Sequence, residues 1–163
     1  MNHEILKRVI LEQIEVIRAA EIIDREYSFE NGVNYILVGL RRAGKSTLLY
    51  KIAREFVASG CDWSQIIYIN FEDDRLLGFT KEDFDDIIET AYELSDADEI
   101  IYFFDHEPQC HLILHLLPFY DIPQQNLFIY ALYIFSPVVQ ILSFRETAAG
   151  YVFLTRFFDL TIF

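Results

Sequence analysis

Apolar residues return along this chain with two different periods, and the alternation between them outlines the fold. Over residues 4–23 the run E-I-L-K-R-V-I-L-E-Q-I-E-V-I-R-A-A-E-I-I brings back Leu6, Ile10, Ile14 and Ile17 every three or four positions, with Ile5 and Val9 beside them. That spacing predicts one apolar face of a helix. The other face carries Glu4, Lys7, Arg8, Glu12 and Glu15. Its mixed sign suits a helix docked on a protein core better than one lying on a membrane surface. A polar link follows over residues 24–34, with a turn signal at Asn31-Gly32. Tyr35, Ile36, Leu37 and Val38 are then continuously apolar, as in a strand covered on both faces. Leu48, Leu49, Ile52, Ala53 and Phe56 restore helical spacing as far as Ala58, and Gly60 is placed to stop that helix.

The pattern then repeats. Ile66, Ile67, Tyr68, Ile69 and Phe71 form a second apolar run, ending in Glu72-Asp73-Asp74. That acidic trio reads either as a solvated strand end or as part of a ligand site at the strand's carboxyl end. Thr80-Lys81-Glu82-Asp83 has the form of a capping box with Asp in place of Glu. It opens a helix whose apolar face is Phe84, Ile87, Ile88, Ala91 and Leu94. The acidic face of that helix (Glu82, Asp83, Asp85, Asp86, Glu89, Glu93) reads as solvated surface. After a loop at residues 95–99, Ile100, Ile101, Tyr102, Phe103 and Phe104 predict a third strand that ends in Asp105. Strands alternating with helices predict an α/β fold with a mostly parallel sheet flanked by helices.

The junction of the first strand and its helix carries the chemistry. Residues 35–47 read Y-I-L-V-G-L-R-R-A-G-K-S-T, which contains G-x-x-x-x-G-K-S. Strand, glycine-bounded loop and helix together make this a phosphate-binding loop, the Walker A motif. Gly39 lets the chain leave the strand at backbone angles a side chain resists. Leu40, Arg41, Arg42, Ala43 and Gly44 can then wrap with their N–H groups inward, as a nest for anionic oxygens. The helix opening at Lys45 turns its first amides and its positive end on the same anion. Lys45 adds a full charge toward the terminal phosphates, and the Ser46 hydroxyl, next to Thr47, is a hard oxygen ligand suited to Mg²⁺. Asp105 closes an apolar strand in the manner of a Walker B carboxylate, which holds Mg²⁺ opposite Ser46.

Charge narrows the partner. With 26 acidic against 13 basic residues the net charge is −13, which argues against a nucleic-acid backbone as the main ligand. Arg41, Arg42 and Lys45 nevertheless make the loop locally positive, as a nucleotide requires. Cys61 and Cys110 read as two free thiols in a reducing cytoplasm. The opening residues lack the uninterrupted apolar core of a signal peptide, so a cytoplasmic location is expected.

Four stretches resemble one known group, the bacterial and archaeal AAA-type P-loop ATPases that carry an accessory C-terminal domain. They are L-K-R-V-I-L-E-Q-I-E at residues 6–15, Y-I-L-V-G-L-R-R-A-G-K-S-T-L-L at 35–49, I-I-Y-I-N-F-E-D at 66–73 and I-Y-F-F-D at 101–105. The resemblance implies ATP with Mg²⁺, cleaved to ADP and phosphate, in a sheet with helices on both sides. It also implies a Glu directly after the strand-ending Asp, to polarise the attacking water. Here His106 follows Asp105, and the carboxylate arrives one position later at Glu107, the candidate catalytic base. One position on a strand turns a side chain to the opposite face, although a loop at the strand end can bring it back.

A further strand ending in a polar sensor residue, and then the accessory domain, are implied next; neither is recognisable. Residues 108–163 hold only Asp121, Arg145, Glu146, Arg156 and Asp159 as charges. Residues 127–142 read as one or two buried strands or as a short membrane span interrupted by Pro137. The chain therefore divides into a docking helix and link (1–30), a P-loop ATPase core (31–107) and an apolar tail (108–163). The expected fold is P-loop NTPase-like but truncated or incomplete, consistent with a change of reading frame near residue 105. His106-Glu107 with His111 approaches the pattern H-E-x-x-H but with the second His one residue too far, and His111 and His115 at i,i+4 beside Cys110 offer a metal site, with packed or exposed histidines the plainer reading. Three functions follow: an ATPase, a nucleotide-binding module without hydrolysis, and a membrane-associated protein using residues 127–142.

Overall fold

The computed structural model describes residues 2–24, 34–39, 42–105, 127–133, 140–147 and 150–156. Helices α1 (His3–Ala19), α2 (Lys45–Ala58) and α3 (Phe84–Leu94) accompany strands β1 (Asn34–Gly39), β2 (Ile66–Asn70), β3 (Ile101–Asp105), β4 (Leu127–Tyr133), β5 (Gln140–Thr147) and β6 (Gly150–Arg156). The described strands form one sheet in the order β2-β3-β4-β1-β5-β6. β2, β3, β4 and β1 run parallel, and β5 and β6 are antiparallel additions beyond β1.

The strand period of two sorts the core onto two faces. Ile36, Ile67, Ile69, Tyr102 and Phe104 pack with Leu6, Val9, Ile10 and Ile14 of α1 and with Phe84, Ile87 and Ala91 of α3. Tyr35, Leu37, Ile66, Tyr68, Ile101 and Phe103 pack on the other face against Leu48, Leu49, Ile52 and Ala53 of α2. β3 is buried at all five positions and β2 at its first four, which explains why neither shows polar alternation in the sequence.

The ends of the helices show why the elements stop where they do. Asn2 caps α1, its Oδ1 accepting the Glu4 N–H at 2.9 Å. α1 ends at Ala19, short of the run to residue 23 that periodicity suggested. Ala20 is already extended, and Arg54 of α2 donates to the carbonyls of Ile17, Arg18 and Ala20 at 2.6–2.9 Å. The guanidinium thus satisfies carbonyls that a helix end leaves without partners. α2 ends as its glycine suggested. The Cys61 N–H reaches Phe56 O and the Gly60 N–H reaches Val57 O, with Gly60 at φ +118, a Schellman-type close. Before α3, Thr80 donates both its N–H and its hydroxyl to Asp83 Oδ2, at 2.8 and 2.9 Å. The side chain at the fourth position therefore reaches back as a capping box requires, although the Thr80 hydroxyl donates rather than accepts.

Residues 127–133 and 140–147 are separate strands, which settles the two readings of the 127–142 run in favour of strands. β4 lies between β3 and β1. No helix among the described residues is long and apolar enough to cross a membrane.

Candidate functional site

Parallel strands put their carboxyl ends on one edge, where β1 leads toward the first turn of α2 and β3 ends in Asp105. β1 delivers the chain at Gly39, and α2 starts six residues later at Lys45. Leu40 and Arg41 lie outside the described residues. Arg42 adopts φ +64 and Gly44 φ +80, so two left-handed residues flank the buried Ala43 in the turn that feeds α2. Glycine reaches that conformation at no steric cost, whereas for Arg42 it is uncommon and mildly strained. Gly44 is the N-cap of α2, and the helix ladder begins with the Leu48 N–H donating to Gly44 O at 3.0 Å. By helix geometry the amides of Lys45, Ser46 and Thr47 face out of the N-terminus, toward the space an anion would fill.

Lys45 is only 3% exposed. Burial pulls its ammonium down from 10.5 to about 8, while the charge of Asp105 acts in the opposite direction. Burying a charged lysine is costly, and the negative charge of a polyphosphate would offset that cost. Ser46 and Thr47 are half-buried in the first turn.

Asp105 is placed by register. Ile101 and Phe103 face α2, so two residues further on Asp105 faces the same way. It is 1% exposed, and its backbone carbonyl accepts the Phe71 N–H at 2.9 Å, pinning the strand end to the exit of β2. Tyr68 donates its hydroxyl to Asp105 Oδ2 at 2.7 Å. Tyr68 pairs with Phe103 across the ladder, so Asp105 is its diagonal neighbour on the same face. Tyr50 of α2 lies against Tyr68, ring centroids 5.3 Å apart. Complete burial, then the charge of Asp105, raises the Tyr68 hydroxyl well above its ordinary 10, so it stays a donor at neutral pH. Burial similarly raises Tyr50.

Of the residues expected at the site, Lys45, Ser46 and Thr47 form the first turn of α2, and Asp105 ends β3 with its charge acting on Lys45. Glu107 lies outside the described residues, as do His106, Cys110, His111 and His115. In the trio after β2, Asp73 caps the following turn and pairs with Arg75 at 2.7 Å, and Glu72 and Asp74 are exposed. Cys61 is a free thiol. Sequence reasoning missed Tyr50 and Tyr68; the signal for Tyr68 was a lone tyrosine among the isoleucines of β2, and Tyr50 of α2 had none.

Hard oxygens at Ser46 and Asp105, with a buried cation between strand and helix, form a donor set that fits a phosphate-bound divalent ion. Comparison with known proteins agrees in kind. Residues 32–130 match the family described as AAA domain, a span that runs past Asp105 into β4. An uncharacterised protein of Methanocaldococcus jannaschii is 29% identical over 103 residues, covering 62% of this chain and 22% of that protein. The chain thus spans about a fifth of the length of that relative. No solved structure matches.

Proposed function

The chain belongs to the AAA domain family of nucleotide-binding proteins, and on that premise we propose that it binds ATP with Mg²⁺ and hydrolyses the terminal phosphate bond. The observation that carries this reading is the buried Lys45 at the head of α2, facing the charge of Asp105. In this proposal residues 39–47 wrap the phosphates with backbone amides, and Lys45 places its charge on the terminal ones. Ser46 and Asp105 are the residues that would hold Mg²⁺. Bound there, the ion would neutralise charge on the phosphate oxygens. Burial of Lys45 and Asp105 keeps bulk water from screening them, so each acts more strongly than an exposed group. Glu107 is the proposed base that accepts a proton from the attacking water.

A second reading is nucleotide binding without turnover, and the insertion of His106 between Asp105 and Glu107 favours it. One sample separates the two. Wild-type protein titrated with a fluorescent ATP analogue should bind in the presence of Mg²⁺, and Lys45→Ala should weaken binding about 10- to 100-fold. Phosphate release by wild type, abolished in Glu107→Gln, supports the enzyme; tight binding with no release supports the binding module. Equal binding by wild type and Lys45→Ala would reject both.

A further inference from the structure

We propose that Tyr68, backed by Tyr50, is a positioning residue that fixes the Asp105 carboxylate for a hydrated divalent cation. This rests on the nucleotide reading above and goes beyond it in assigning two residues outside the loop and the strand-ending Asp.

Three elements converge on one carboxylate. Tyr68 is fully buried on β2, and its hydroxyl donates to Asp105 Oδ2 at 2.7 Å. An aspartate on a strand can swing about χ1 and χ2, and a fixed donor on one oxygen selects a single orientation. Tyr68 has little freedom of its own, because its ring stacks on Phe103 at 5.9 Å and meets Tyr50 at 5.3 Å. Tyr50 sits on α2 four residues after Ser46, one helical turn along the same face. A continuous line therefore runs from the helix that carries Ser46, through the ring contact of Tyr50 with Tyr68 and the Tyr68 hydroxyl, to Asp105. The two candidate metal-holding side chains lie at the two ends of that line. Its physical effect is to hold the first turn of α2 and the end of β3 in a fixed relation, which a small ion with strict octahedral demands requires. With Oδ2 engaged by Tyr68, Oδ1 is the oxygen that would be turned toward the water shell of a bound ion. Tyr68 touches neither phosphate nor metal in this scheme; it acts through Asp105.

The test measures metal dependence rather than turnover. A fluorescent ATP analogue is titrated into the full chain in EDTA and again across a Mg²⁺ series, for wild type, Tyr68→Phe, Tyr50→Phe, Asp105→Asn and the Tyr68→Phe/Asp105→Asn double variant. Loss of an outer-shell partner weakens metal binding about 10- to 100-fold, so Tyr68→Phe should need at least about tenfold more Mg²⁺, with affinity in EDTA unchanged. Tyr50→Phe, one step further out, should need about two- to threefold more. In the Asp105→Asn background Tyr68→Phe should add nothing. A merely structural tyrosine would lower affinity equally with and without metal. Unchanged Mg²⁺ dependence in Tyr68→Phe overturns the inference alone. If Tyr68→Phe folds poorly, unchanged dependence in Tyr50→Phe overturns it instead. No metal-dependent binding by wild type overturns the functional reading and this inference together.

Discussion

Raising the pH from 7 to 9 should switch off Lys45 without touching another residue of the loop. In the ligand-free protein its ammonium sits at about 8 rather than 10.5, because burial costs the charged form more than Asp105 returns. A group with that midpoint is about nine-tenths charged at pH 7 and about one-tenth charged at pH 9. A polyphosphate needs the charged form and, once bound, holds the proton in place. Nucleotide affinity should therefore fall about tenfold over those two units, approaching a slope of about one decade per pH unit. Stability moves the other way. The unfolded chain keeps the ordinary value of 10.5, so between about 8 and 10.5 it binds more protons than the folded protein does. The ligand-free protein should then gain up to about 3 kcal/mol as the pH rises through that window. The assay is fluorescent-nucleotide affinity in EDTA at pH 7, 8 and 9, beside urea midpoints of the ligand-free protein at the same pH values. Lys45→Met should flatten both profiles. Wild-type affinity that does not change with pH, or an equal slope in Lys45→Met, would refute the buried-charge account.

Two other perturbations test the scaffold. Arg54→Ala removes the donor shared by the Ile17, Arg18 and Ala20 carbonyls, and should lower stability by about 2–3 kcal/mol, seen as a lower urea midpoint at nearly unchanged slope. Phe84→Ala opens a cavity where the ring meets Phe71, Phe79 and Phe104 at 5.0–6.1 Å, and should cost about 3–5 kcal/mol in the same measurement.

Periodicity was a sound guide wherever one element's own sequence decides its burial. Leu6, Ile10, Ile14 and Ile17 are buried as the spacing of α1 required, while Ile5, only beside that stripe, is 39% exposed. Gly60 ends α2, and Asp105 falls at the end of a buried strand, because both are matters of local backbone preference and period. What the sequence hides is set by neighbours distant along the chain. The early end of α1 depends on a guanidinium 34 residues downstream. The bond from Tyr68 to Asp105 depends on the register of β2 against β3 and on a diagonal that no local pattern announces. The antiparallel return of β5 beside β1 is likewise a pairing choice, since an apolar run satisfies either direction. The burial of Lys45 is invisible for the same reason: the motif names the residue, and the packing of α2 on the sheet decides how far its charge stands from ordinary.

α1 contributes Leu6, Val9, Ile10 and Ile14 to one core and Ile17 to the other, and it packs on β2, the outermost strand at that end of the sheet. It therefore spans the border between the two faces beside the outermost of the described strands, an edge that would otherwise invite a strand from another molecule. This has a consequence for biosynthesis. α1 is made before β2 and α3, which supply much of its docking surface. During synthesis the helix must wait with its apolar stripe unsatisfied, and the strand it guards emerges before the guard can close. The nascent chain is most vulnerable to intermolecular pairing in that interval, before α1 seats and Arg54 fastens its end.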